Sequence, residues 1–204
     1  MEDLYLIVGL GNPGAEYART RHNAGFQTAD RLAERWGSAW TYEKKFDACL
    51  ARTERAGRRV LVCKPQTYMN ASGQAVAAVQ SFYRVALAQL LLVVDDADLP
   101  LGVLRLKPGG GSGGHHGLES VEQHLGTRDY ARLRIGIGRL DGAREITGHV
   151  LGRFHSTEQA LVDKVLEAAS DAAECWVDAG IQKAMNQFNG LPPERDPPTE
   201  GKEQ

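Results

Sequence analysis

A histidine, a group of carboxylates and two asparagines, each set beside an apolar run, are the side chains of this chain that can do chemistry together. His22 lies in "TRHNAGF" (20–26), and Asp95, Asp96 and Asp98 close "LLLVVDDADLPLG" (90–102). A carboxylate beside the His22 imidazole would orient it, fix its tautomer and stabilise its cation, as a histidine general base requires. Asn12 in "LIVGLGNPGAEY" (6–17) and Asn70 in "KPQTYMNASG" (64–73) carry amides that donate and accept at once, which suits a neutral polar ligand group. Each residue also has a plain structural reading. Asn12 can be a turn former, Asn23 and Asn70 helix N-caps, and Met69 packing rather than a soft ligand wall. Both readings stay open at this level.

"LKPGGGSGGHHGLES" (106–120) holds five glycines and a serine in six positions, a composition that cannot pack a core and costs conformational entropy to order. It suits mobility, close backbone approach or a nest of N–H groups for an anion. His115 and His116 follow it directly. Arg105 and Lys107 precede it, while Arg132, Arg134 and Arg139 lie on a neighbouring strand region. Such a basic face is what a phosphate backbone would require, with a solvated surface as the alternative.

Two other chemistries compete. Gly9, Gly11 and Gly14 match the G-x-G-x-x-G of dinucleotide loops. The next helical pattern, however, starts near Asn23 instead of inside the motif, Asp30 falls within that helix, and Pro13 lacks an N–H; no dinucleotide is expected. A metal on Asp95, Asp96, Asp98 and the later histidines lacks any H-x-x-x-H-type spacing, and no metal or other cofactor is expected. There is no G-x-S-x-G elbow and no cysteine near a histidine in sequence, so a covalent nucleophile has weak support.

The elements that must position these residues alternate. Strands are expected over 4–8, 47–53, 58–63, 90–94, 103–106 and 132–137, with helices over 24–36, 72–84 and 117–125. A long helix should open at a Ser156-Thr157-Glu158-Gln159 capping box and bury Leu161, Val162, Val165, Leu166, Ala169, Ala173, Trp176 and Val177. A short helix near 181–188 ends the pattern. The fold class is α/β, a single domain over 1–190 with a twisted mixed central sheet flanked by helices. Residues 191–204, "LPPERDPPTEGKEQ", are read as a disordered tail. The tail carries two basic and four acidic residues, hence all of the net charge of −2; the body balances at 22 of each sign, so nucleic-acid binding must be argued locally.

With no run of 18 apolar residues and an acidic Met1-Glu2-Asp3, a soluble cytoplasmic protein is expected, without membrane attachment. Three scattered cysteines, Cys49, Cys63 and Cys175, suggest inert thiols rather than a disulfide framework or a zinc site.

The stretches "VGLGNPGAEYARTRHNAGF", "KPQTYMNASGQAV", "DDADLPLG", "GGGSGGHHGL" and "RLRIGIGR" occur in the order in which they stand in bacterial peptidyl-tRNA hydrolases, and over residues 4–190 the chain resembles that family. The resemblance implies cleavage of the ester joining a peptide's C-terminus to the 3′-terminal ribose of tRNA, without a cofactor, in a monomer. It makes His22 the general base and Asp95 its carboxylate partner. Asn12 and Asn70 match substrate-holding amides, Met69 the peptide side of the cleft, Tyr68 a further substrate-binding position, His115 and His116 the lining of the pocket, and Tyr17 an aromatic near the RNA. Arg105, Lys107 and Arg132 would hold acceptor-stem phosphates. Familiar members read Gly-His-Asn-Gly where this chain has Gly114-His115-His116-Gly117, so an imidazole replaces an amide there. Rival readings are a non-catalytic RNA-binding protein of the same fold and the dinucleotide oxidoreductase discounted above.

Overall fold

The structure, a computed structural model, describes residues 4–138 and 146–190; Arg139 and the expected tail, 191–204, lie outside the described residues. Seven strands form one mixed sheet in the order β2-β3-β4-β1-β5-β7-β6. They are β1 Leu4–Gly9, β2 Thr41–Glu43, β3 Ala48–Arg55, β4 Arg58–Pro65, β5 Leu90–Asp96, β6 Leu104–Lys107 and β7 Ala131–Gly136. The central four, β4-β1-β5-β7, run parallel, while β2, β3 and β6 pair antiparallel at the two edges. The six strands read from the sequence are all present. The three-residue β2 was not legible, because an outer edge with exposed residues carries no alternation.

Helices cover both faces, which is why β5 is apolar without interruption over Leu90–Val94. Ile7, Leu91, Val93, Leu133 and Ile135 turn toward α5 (Gln159–Ala179) and α6 (Ile181–Phe188), with Leu32 of α1 (Ala24–Arg35) in the same cluster. Leu6, Val8, Leu90, Leu92 and Val94 turn the other way, toward α2 (Ser72–Tyr83) and α3 (His116–Leu125). Leu161, expected in the buried stripe of α5, is 40% exposed, whereas Val162, Val165, Leu166 and Trp176 are buried. The capping box is displaced by one residue. The His155 side chain accepts from Thr157 N–H and Glu158 accepts from His155 N–H, opening a 3-10 turn that leads into α5.

The glycines of the first loop serve packing. A Cβ on Gly9 would lie 2.2 Å from the Gly25 carbonyl oxygen, and one on Gly11 would lie 2.6 Å from the Phe26 ring. Helix α1 therefore sits directly on the end of β1. The chain reaches it through turns and a 3-10 segment, Arg21–Asn23, and no helix N-terminus opens inside the glycine motif.

Cys63 is buried and its thiol is pushed well up by that burial; burial also raises Cys49 and Cys175, and none of the three is in a disulfide. Among the described residues no helix is long and apolar enough to cross a membrane.

Candidate active site

The carboxyl ends of the parallel strands converge, as α/β sheets dictate. Strand β1 runs into Asn12, β4 into the turn carrying Met69 and Asn70, and β5 ends in Asp95 and Asp96. With His22, His115 and His116 they line a cleft of about 350 Å³. Asp98, Tyr68 and Arg134 line it too, and Ala97, Thr147, Val150 and Leu151 give it an apolar side. Thr147 and Val150 belong to the short helix α4 (Ile146–Val150), an element with no clear periodic signal in the sequence.

His22 faces Asp95 through Nδ1, 2.9 Å from Oδ1 and 3.0 Å from Oδ2. Donation of Nδ1–H to the carboxylate leaves Nε2 as the basic nitrogen. From the other side His115 Nε2 stands 3.0 Å from Asp95 Oδ1. His115 is also the N-cap of α3, its Nδ1 accepting the Leu118 N–H at 3.3 Å. An Nδ1 that accepts must leave the proton on Nε2, so His115 donates to Asp95. Asp95 is 2% exposed. Burial alone would raise its pKa, but charge and hydrogen bonds from His115 and His22 outweigh it and bring the pKa from 3.8 down to about 2. The carboxylate is ionised throughout the working range.

The donor atoms of His22, Asp95 and His115 lie within 4.8 Å of one another, so among the described residues these three could hold a metal. They converge from the segment before α1, from β5 and from the start of α3, which is why no ligand spacing betrays them. The hydrogen bonds account for each atom, and a cation would have to move the His115 proton onto the Nδ1 that Leu118 N–H already occupies. That opposes a metal here. Asp96 turns away from the cluster, to Arg134 Nη1 at 3.0 Å and the Asp98 N–H at 2.9 Å.

Asn12 is 8% exposed, and its Oδ1 accepts the Met69 N–H at 2.8 Å, tying the β1 loop to the β4 turn. Asn12 also lines the cleft. Asn23 stands at the N-cap position of α1 but does not cap it with its side chain, and Asn70 is not an N-cap. Helix α2 has Ala71 at its N-cap, without a side-chain bond, while Asn70 lies exposed on the 3-10 turn Met69–Ala71. Met69 is 4% exposed and Tyr68 62%. Tyr17 lies outside the cleft lining, edge-on to Tyr68 with ring centroids 6.5 Å apart. His116 stands at the rim, its side chain 74% exposed and 3.1 Å from Glu119.

The basic residues divide. Arg105 and Lys107 are exposed on the edge strand β6, directly opposite Arg134 and Lys107's neighbour in register, Arg132. Arg132, expected to contact phosphate, is 1% exposed; it donates to Gly111 O at 2.7 Å and to Arg128 O at 3.2 Å and lies against the Tyr130 ring. The reason is local. The glycine loop folds over it, which the two-residue alternation of a strand cannot reveal. Arg134, one pleat along in the same basic strip, is among the described residues the arginine that lines the cleft.

With this geometry the comparisons with known proteins agree. The family model described as peptidyl-tRNA hydrolase matches residues 6–197. The chain belongs to the peptidyl-tRNA hydrolase family. It is 51% identical over 188 residues to a peptidyl-tRNA hydrolase from a Synechococcus species, covering 92% of this chain and 84% of that one. It is 45% identical over 196 residues to the enzyme of that name from Gloeobacter violaceus, covering 94% and 99%. Among solved structures, peptidyl-tRNA hydrolase from Acinetobacter baumannii superposes with a TM-score of 0.88 at 42% identity, covering 95% of this chain and 98% of that one.

Proposed function

We propose that this family member hydrolyses peptidyl-tRNA at the ester between the peptide's C-terminus and the 3′-terminal ribose, with water activated by His22 held on Asp95. The observation that carries this reading is the contact of His22 Nδ1 with both oxygens of a buried, ionised Asp95, which leaves Nε2 basic at the cleft. An ester has a good alkoxide leaving group. A base and amide donors to the developing oxyanion then suffice, with no covalent intermediate and no metal.

Asn12 Nδ2 and the Asn70 amide are the donors for the carbonyl and the peptide backbone, which lets a peptide of any sequence bind. Met69 and the apolar side of the cleft take the peptide, while Tyr17, Tyr68 and His116 stand toward the ribose and 3′ end. Arg105 and Lys107 meet acceptor-stem phosphates along the exposed edge. Required contacts to a peptide-bond carbonyl and N–H reject free aminoacyl-tRNA, whose amine is charged. The substrate places this work in the cytoplasm, and a monomer suffices for it.

The test is release of tRNA from an N-acetylated aminoacyl-tRNA, run beside the free aminoacyl form and His22→Ala. Cleavage of the acetylated form alone, lost in the variant, supports the reading. Substantial hydrolysis by a folded His22→Ala protein overturns the base assignment, and tRNA binding without cleavage by the unmutated chain points to an RNA-binding role.

A further inference from the structure

His22 rides on a 3-10 turn of three residues, Arg21–Asn23, too short to be held by a hydrogen-bond ladder of its own. Its neighbour Arg21 takes no part in the cleft lining, and its side chain is only 11% exposed. Arg21 Nη1 donates to the Ile137 carbonyl at 2.8 Å and Nη2 to Glu158 Oε2 at 2.7 Å. The guanidinium also lies over the Phe154 ring, 4.5 Å from its centroid. The backbone is tied to the same region, since the Arg21 N–H donates to the Gly152 carbonyl at 2.9 Å and Thr20 bridges to Arg153. The Ile137 contact closes a ring. Ile137 follows β7 directly, is fully buried, and its own N–H donates to the Asp96 carbonyl at 3.2 Å. Asp96 adjoins Asp95, on which His22 Nδ1 rests at 2.9 Å. The path from Asp95 thus runs through Asp96, Ile137 and Arg21 back to His22, and hydrogen bonds of 3.2 Å or less join its segments.

We propose that Arg21 is a positioning residue for hydrolysis: by fastening the turn that carries His22 to the Ile137 carbonyl, it sets the imidazole on Asp95. The proposal rests on the reading of His22 and Asp95 as the base pair. Two acceptors and an aromatic face suit a planar fork of N–H donors. A lysine ammonium, a single point charge, can keep Glu158 but cannot reach both acceptors and stack on Phe154 as well. A rival role, in stability alone, would use the same contacts but would leave the chemical step untouched.

The experiment measures kcat, KM and the thermal midpoint for Arg21→Lys, Arg21→Gln and Glu158→Gln, with ¹⁵N spectra of the histidine rings, at a temperature where each protein is folded. Positioning predicts a kcat lower by roughly tenfold to a hundredfold in both Arg21 variants, the effect of a small misplacement of reacting groups. KM should barely change, because Arg21 does not line the cleft. The His22 ring should lose the signature of an Nδ1–H held on a carboxylate. Glu158→Gln keeps an oxygen acceptor for Nη2 and leaves the Ile137 contact in place, so it should lower the thermal midpoint and retain kcat. If Arg21→Gln does not fold, Arg21→Lys and Glu158→Gln carry the comparison. A lowered midpoint with intact kcat and unchanged ring signals in Arg21→Lys would overturn the proposal, as would a kcat loss in Glu158→Gln as large as in Arg21→Lys. Full kcat in Arg21→Lys, beside an inactive His22→Ala, sinks the clasp alone; an active His22→Ala sinks the base reading instead.

Discussion

Asn23 holds Asn12 by both ends of its amide: Oδ1 accepts the Asn12 N–H and Nδ2 donates to the Asn12 carbonyl, each at 2.9 Å. Asn23 is 1% exposed, so these bonds lie out of water. They fasten the loop after β1 to the residue beside His22, and Asn12 in turn accepts the Met69 N–H. Two buried amides in series therefore tie together the three segments that frame the cleft.

Replacing Asn23 by alanine should leave two buried backbone groups without partners, a loss of at least about 2 kcal/mol. Turnover should fall as well, because Asn12 loses its anchor. Urea unfolding followed beside kcat tests both. An unfolding midpoint equal to that of the unmutated protein would show that the two groups find other partners.

Asp95 sets a limit on the acid side of stability. Its folded pKa, about 2, lies below the ordinary 3.8, so the stabilisation is fully present above about pH 4. It is lost as pH falls from there through 2, and amounts to about 2 kcal/mol. Removing one of the two imidazole donors, as in His115→Ala, should raise the folded pKa of Asp95 toward the ordinary value and so shrink that acid loss. Unfolding free energy measured between about pH 5 and pH 2 should start lower and decline less in the variant; a decline of unchanged size would mean that His22 alone keeps Asp95 ionised.

How far the sequence revealed this arrangement depends on whether a feature is local. Strands buried on both faces announce themselves, as Leu90–Val94 does, and strand ends that finish in Asn, His or Asp point to a site at one edge of the sheet. That logic sets one of Asp95, Asp96 and Asp98 beside His22, and only the resemblance to the family singles out Asp95, since a separation of 73 residues hides the geometry. The second imidazole does not follow, since His115 looks like any helix-start residue until its Nε2 is found on Asp95. Asn23 has the composition of an N-cap and is drawn off by a tertiary bond instead. Arg132 and Arg134 share one strand face, and only the fold of the glycine loop makes the first a buried prop and the second a wall of the cleft.

Gly9 tests whether the opening glycines serve packing. An added methyl at Gly9 would meet the Gly25 carbonyl and the Ala29 Cβ, 2.2 and 2.9 Å away, and neither is the loose end of a flexible side chain. Helix α1 would have to lift, taking His22 with it. Gly9→Ala should cost at or above about 3 kcal/mol, read as a fall in the thermal midpoint. NADH titration of the unmutated protein, monitored by fluorescence, should show no saturable binding; saturation would revive the dinucleotide role for this loop.

The basic residues make opposite predictions according to whether water reaches them. Arg105 and Lys107 are exposed on the outermost strand, so a phosphate can meet them without any rearrangement. Loss of such a contact weakens binding and lowers the slope of log K against log salt by roughly one for each phosphate released. Arg132 is enclosed, its guanidinium bonded to the Gly111 and Arg128 carbonyls and 3.6 Å from Glu122. Arg132→Ala should therefore lower the unfolding free energy while leaving the salt slope as it was, and Lys107→Ala should do the reverse. Binding isotherms for tRNA at several salt concentrations, paired with denaturation of the same three proteins, separate the two. A reduced slope in Arg132→Ala would mean that the loop opens on binding and releases this arginine to the RNA.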